Sequence, residues 1–552
     1  MAGSASEAVP TSAQTSSHFG MPLAVMLAPW VLASIACVYV VPRVLCWFRT
    51  WRTLRSMPGP WDLLPFWYLL LCFRNAVKVK KRMGASERLF NQMRELCQDY
   101  PDKTFKVYAG VTPLVFINTP DAAQTLLTSA RNHKKPFAYH FTDSWLGPSN
   151  LLVSTGDAWR YKKKVLTPAF HFGALDDYIP IFNENGDSLV KHICDAIDAA
   201  PSDPVPLFNI AQKCTMDIIA EVTMGKKLGL QENKNPSLVA SFNRAMMLVP
   251  VRCLSPWFWV QAIYDITSQG KGYKGAVEEM VNLTHSVMRQ HLETSNGTKM
   301  TSQFSQHDTE ADSSKKASLI DRLMKTQKED EKYTLDDVVG DINTILGGGN
   351  DTAALAVCWA LNLLGHNADA QRKAHEELDE IFGSSRDGEI TADDLKKMKY
   401  LECCLKEALR LYPSFPVIGR TLEEDLVIDG QTVPKGVTCV IAIFSIHRNP
   451  NHFKDPDSFV PERFMTEEIK QRHPFSYIPF SKGLRVCIGD KFAMVEMKLL
   501  LAKVLRKFEV ESRIPLDQLR LTYEIVLKDK GGNKVWLRRR PEFCSALETA
   551  ES

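Results

Sequence analysis

Cys487, near the carboxyl-terminal end, carries the clearest chemistry in this chain. Phe480, Gly483, Arg485, Cys487 and Gly489 stand at fixed spacing in PFSKGLRVCIGDKFAMVEMK, and an amphipathic helical pattern follows directly. A thiolate that binds iron must stay anionic, which backbone N–H donors and a helix amino terminus favour. Flanking glycines let the backbone close around the sulfur. The other cysteines among the 13 are scattered, with only Cys403 and Cys404 adjacent and no Cys-x-x-Cys. They read as small buried hydrophobes in a reducing compartment, without a zinc site or disulfide framework. Two more constellations precede the cysteine. Glu407 and Arg410 share one helical face in KEALR, and a second arginine, Arg463, follows in PERF. Further upstream, Gly347-Gly348-Gly349-Asn350-Asp351-Thr352 interrupts a helical pattern running from Leu335 to about His366. Each glycine inside a helix costs about 1 kcal/mol relative to alanine, so the run implies a need for backbone without side chains.

Together these motifs resemble the cytochrome P-450 superfamily. Its haem-binding signature is the Phe, Gly, Arg, Cys, Gly pattern, in which Cys487 is the axial ligand of the iron, with Phe480, Gly483 and Gly489 shaping the loop. The axial thiolate favours O–O cleavage. By the same resemblance Glu407, Arg410 and Arg463 form a buried structural network. Thr352 hydrogen-bonds in oxygen activation, Asp351 helps relay protons, and the glycine-rich helix is kinked across the haem. Arg485, Trp159 and Lys163 in AWRYKKKVLTPAFHF, and Arg420 in LYPSFPVIGR, are implied as haem-propionate contacts.

The stretches WRYKKKVLTPAFHF, KEALRLYPSFPVIGR and PFSKGLRVCIGDKFAMVE look like family 4 of the superfamily, and the resemblance runs from about Pro58 to Lys534. It implies a microsomal hydroxylase of fatty acids or related lipids. Xenobiotics and steroid-like hormones are the alternative substrates. Many relatives carry a glutamate where Gly348 stands, and there it can esterify the haem. Gly348 cannot, so haem b is expected to be non-covalent. Asn350, Val486 and Asp490 replace the commoner His, Asn and Gln.

The elements that must position these residues are mainly α with small β-sheets. Apolar residues recur at helical spacing through long segments from about Ser86, and TFKVYAG, PLVFINT and VTCVIAIF read as short strands. The glycine-rich helix opens with a capping box, Thr334 and Asp337. The implied architecture is a cytochrome P-450 fold: one large haem-enclosing domain behind an amino-terminal transmembrane helix. Residues 1–20 form a short lumenal segment and 21–41, MPLAVMLAPWVLASIACVYVV, span the membrane. Residues 42–65 make a basic, proline-rich hinge, 66–540 the catalytic domain with a mobile loop at about 294–316, and 541–552 a tail. Phe66 to Phe73 is an interfacial segment or a core helix. No Lys or Arg precedes the apolar run, whereas Arg43, Arg49, Arg52 and Arg55 follow it. That asymmetry favours an uncleaved single-pass anchor over a signal peptide and puts the body on the cytosolic side of the endoplasmic reticulum membrane.

Lys and Arg number 67 and Asp and Glu 64, a net charge of +3, which argues against a nucleic-acid partner. No dinucleotide fingerprint is visible, so NADPH must act through a partner. The resemblance implies NADPH-cytochrome P-450 reductase, with cytochrome b5 as a second candidate. Lys482, Lys491 and Lys498, with Lys162 to Lys164, are a candidate basic docking face. Two rival classes are open: a haem-thiolate isomerase that needs no O2, and a non-enzymatic haem or lipid binder.

Overall fold

The computed structural model describes residues 41–60, 84–109, 112–170, 175–295, 318–383 and 387–541. The chain divides into two units, one ending at Ser56 and one beginning at Met57. In the first, helix α1 spans Val41–Leu54. Residues 42–54, assigned from sequence to the hinge, are therefore helical. Val44, Leu45, Phe48 and Trp51 recur at helical spacing, and Pro42 sits in the first turn, where its missing N–H costs nothing. The expected anchor at 21–41 lies outside the described residues apart from Val41, and the segment Phe66 to Phe73 lies wholly outside them. So do hinge residues 61–65, nearly all of the loop call and the tail from 542. Among the described residues no helix is long and apolar enough to cross a membrane.

The second unit is mainly helical with small sheets, as the sequence pattern leads one to expect. Its amino-terminal elements are α2 (Ala85–Asp99), β1 (Phe105–Ala109), β2 (Thr112–Ile117) and α3 (Gly156–Leu166). Next come α4 (Ile179–Ala199), α5 (Leu207–Met224), α6 (Pro236–Leu254) and α7 (Ser268–Ser295). The site depends most on α8 (Leu335–His366), α9 (Lys399–Leu411), β3 (Ile418–Thr421), β4 (Thr438–Ile441), α10 (Asp490–Lys507) and the hairpin β5 (Leu521–Glu524) and β6 (Val526–Asp529).

The four-stranded sheet runs β1, β2, β4, β3. β1 and β2 pair as an antiparallel hairpin, β2 and β4 run parallel, and β3 returns antiparallel with Arg420 opposite Cys439. The register puts Phe105 opposite Phe116, and their rings stack at 5.3 Å.

Helix α8 is the axis of the core. Every side chain from Ala353 to Leu364 is buried, because α5, α9 and α10 pack against it and leave no solvent face. Trp359, fully buried, stacks on Tyr412 at 4.0 Å. The capping box is formed: Asp337 N–H donates to Thr334 Oγ1 at 3.2 Å, and Thr334 N–H donates to Asp337 Oδ2 at 2.9 Å. α10 is held by Phe492, whose ring meets Phe170, Tyr178 and Phe182 edge-on. The site therefore rests on rigid helices.

Candidate active site

Chain reversal at Ser481 and Gly483 builds the Cys487 loop. Both have positive φ, 61° and 74°. A Cβ at Gly483 would stand 2.1 Å from the Leu127 carbonyl oxygen, so no other residue fits. Cys487 N–H donates to Phe480 O at 3.0 Å, and Gly489, one residue before α10, directs its N–H at the sulfur. Cys487 keeps accessible surface although protein encloses it, which places the sulfur on the wall of an interior cavity. Burial pushes the thiol up to about 11, while the Gly489 N–H and the Lys135 ammonium pull it back. The loop alone does not ionise this thiol; a metal cation beside it would.

Around the loop lies a ring of buried and half-buried cations. Arg485 donates to Leu151 O and Ser154 O, covers the Trp159 ring at 4.3 Å, and has an Nε without a partner. Lys163 donates to Leu484 O at 2.8 Å, with its ammonium 5.2 Å from the same ring. Arg420, 1% exposed, donates to Gly419 O and Ser481 Oγ. Lys135 is buried against Tyr139, and His133 is buried with neither ring nitrogen bonded. Burial holds all of these groups toward their neutral forms. The effect is strong at Lys135, where Arg420 and Arg485 add repulsion, and it brings Arg485 down to about 9. Among the described residues none of Arg485, Arg420, Lys135 and Lys163 has an ion-pair partner.

Beneath this ring the charges are paired. Glu407 grips Arg410 through two bonds, 2.7 and 2.8 Å, and accepts from Arg463 Nε at 3.3 Å, with all three side chains buried. Arg410 also donates to His447 O, Pro456 O and Ser458 O. His447 Nε2 accepts from Ile478 N–H at 2.8 Å, which links the network to the start of the thiol loop.

On α8 the three glycines differ. A Cβ at Gly347 would press on the Trp145 ring at 3.1 Å, and one at Gly349 would meet Ile219 at 2.9 Å. At Gly348 it would meet nothing within 4 Å. Helical assignment continues unbroken through all three; close packing of Trp145 and Ile219 accounts for two of them, and Gly348 faces open space. Thr352 Oγ1 donates to Gly348 O at 2.8 Å, on that open side. Asp351 faces the core instead. Its Oδ2 is 2.7 Å from Lys528 Nζ on β6, and its Oδ1 accepts from Gln212 Nε2 at 2.7 Å.

The comparisons follow the same boundaries as the site. The family model for cytochrome P450 matches residues 64–534. The chain belongs to the cytochrome P450 family. Cytochrome P450 4V2 of Mus musculus is 33% identical over 506 residues, 92% of this chain and 94% of that protein. The Homo sapiens protein of the same name is 34% identical over 502 residues, covering 91% and 93%. Cytochrome P450 4c3 of Drosophila melanogaster is 34% identical over 441 residues, 79% and 82%. This P450 is thus an oxidoreductase, a monooxygenase whose family carries haem iron on a cysteine thiolate.

The residues present fit that group. Two buried and two half-buried cations, none in an ion pair among the described residues, are a costly arrangement for a bare protein and a suitable one for a dianion such as the two haem propionates. The sequence pointed to Arg485, Lys163, Trp159 and Arg420, and the structure brings them together. It missed Lys135 and His133, which a tighter reading of the basic run HKKP would have flagged, and Lys528 and Gln212, for which the sequence carries no local signal. The proposed docking face needs correction. Lys162 is buried and bridges Asp337 and Asp341 at 2.8 and 2.9 Å, and Lys498 is 8% exposed and pairs with Glu402. Neither is available to a partner.

Proposed function

We propose that this P450 is an NADPH- and O2-dependent hydroxylase of fatty acids or related lipids. NADPH-cytochrome P450 reductase supplies the electrons, with cytochrome b5 as a second donor. The catalytic body stands on the cytosolic face of the endoplasmic reticulum, anchored by residues 21–41. The observation that carries the reading is the cluster of cations around the Cys487 loop, Arg420 and Lys135 buried and Arg485 and Lys163 half-buried, without an ion-pair partner among the described residues. In the bound state haem supplies oxygen activation and transfer of one oxygen atom to a C–H bond. Cys487 would ligate its iron, and Arg485, Arg420, Lys163 and Lys135 would hold the propionates, with Trp159 packed under Arg485. Gly348 leaves the adjacent face of α8 open and offers no carboxylate for esterification, so haem is held non-covalently. Thr352 presents its hydroxyl oxygen on that face, and its proton becomes available when the bond to Gly348 O is exchanged. Asp351, tied to Lys528 and Gln212, is the acid that exchanges protons with it once one of those contacts opens.

The test is mass spectrometry of products after the holoenzyme receives NADPH, reductase and a pooled panel of fatty acids, sterols and xenobiotics. An NADPH-dependent gain of one oxygen atom, lost in Cys487→Ala, is the expected result. Product formed without NADPH would transfer the chain to the isomerases.

A further inference from the structure

A second cavity, of about 580 Å³, lies between α2, the four-stranded sheet and the carboxyl-terminal end of α6. Its walls are largely apolar: Leu89 and Leu96 from α2, Phe116 from β2, Val249 and Leu254 from α6, and Trp259. Pro136, Tyr139 and Gly419 on another wall join it to the region of Lys135 and Arg420, so it adjoins the cofactor side of the body. Such a volume suits a long alkyl chain.

Its polar groups are selective in kind. The charged side chains among the described lining residues are Glu95 and Asp99, both exposed on α2, and none is Lys, Arg or His. Lys135 lies behind the Tyr139 ring, 5.1 Å from its centre, and does not line the cavity. Two phenols do. Tyr139 accepts from Gly419 N–H at 3.3 Å, which leaves its own proton to donate. The Tyr523 hydroxyl has no hydrogen-bond partner among the described residues and is near enough to Tyr139 for that phenol to disfavour its ionisation. Burial raises both phenols above their ordinary range, so they enter as neutral donors.

We infer that this cavity admits a long-chain substrate whose polar group is uncharged, a hydroxyl, ketone or ester received by Tyr139 and Tyr523, and discriminates against a free carboxylate. A carboxylate entering here loses hydration, finds no cation to replace it, and meets the field of Glu95 and Asp99. An uncharged oxygen accepts from a phenol without that loss. The inference rests on the hydroxylase reading and narrows it from fatty acids to their uncharged relatives.

Calorimetric titration of the holoenzyme with 1-dodecanol, dodecanoate and dodecyltrimethylammonium, each below its micellar concentration, tests it. The alcohol is expected to bind at least about ten-fold more tightly than the carboxylate at neutral pH, and the cation better than the carboxylate. Glu95→Lys with Asp99→Lys should bring alcohol and carboxylate within about three-fold, and Tyr523→Phe should weaken the alcohol about five-fold. Dodecanoate binding as tightly as the alcohol to the unaltered enzyme overturns the inference, as does a ratio unmoved by the charge reversals or binding by none of the three. Oxygenated product from a free fatty acid, with equal affinities, would sink the selectivity while leaving the hydroxylase standing. Selective binding without NADPH-dependent product would do the reverse.

Discussion

Two clusters of basic side chains in the catalytic body differ in how their charge is met. Around Glu407, two guanidiniums share one carboxylate and a set of backbone carbonyls, so every charge is answered within the protein. Around Cys487, Arg420 and Lys135 are buried and Arg485 and Lys163 half-buried, but their partners are carbonyls, a hydroxyl and aromatic faces. Evolution tolerates an uncompensated buried charge only where something else supplies the counter-charge. The first cluster suits a structural role; the second suits an anionic ligand.

The largest way to break this comparison is Glu407→Ala. It strands Arg410 and Arg463, and unfolding by denaturant should show a loss of about 3–5 kcal/mol. An effect below about 1 kcal/mol would mean that the network is not holding the haem-side core.

Acid should attack the same region through His447. The imidazole must be neutral because Nε2 accepts the Ile478 N–H, and burial with Arg410 nearby depresses its pKa from 6.5 to about 3. A depressed pKa gives stability that is full above about pH 6.5 and is lost as pH falls toward 3. His447→Gln, which keeps an acceptor without titrating, should flatten the stability profile over that range. An unchanged slope would assign the acid sensitivity elsewhere.

Lys135→Met sharpens the contrast from the other side. Haem-free protein should be as stable as the parent or more so, since an unpaired charge is removed. Haem titration should show about ten-fold weaker binding, the worth of one charge-assisted hydrogen bond. Equal loss in both measurements would make Lys135 structural. At the small end, Glu376→Gln breaks the solvent-exposed pair with Arg372 and should change stability by no more than about 0.5 kcal/mol. That value calibrates the other two.

Local spacing carried most of what could be read from the chain alone. Cys487 with its glycines, the Glu407–Arg410 pair and the capping box at Thr334 each lie within a few residues, where helix and turn geometry fix the outcome. Lys528 and Gln212 reach Asp351 from 177 and 139 residues away, and nothing local marks them. Lys162 and Lys498 were misjudged for a related reason: a lysine in a basic run reads as a solvated charge until its acidic partners, Asp341 and Glu402, arrive from other helices. The glycine run was read as one device. It is two kinds of position, and only packing against Trp145 and Ile219 separates them.

That separation bears on how such an enzyme can change. Gly347 and Gly349 are locked by rings and methyls from other helices, so a mutation at either is paid for by the whole core. Gly348, between them, has open space where a Cβ would stand. A lineage can therefore try bulk, polarity or a carboxylate tether at the one point of the helix that faces its chemistry, and inherit a new selectivity in a single step without first acquiring spare stability.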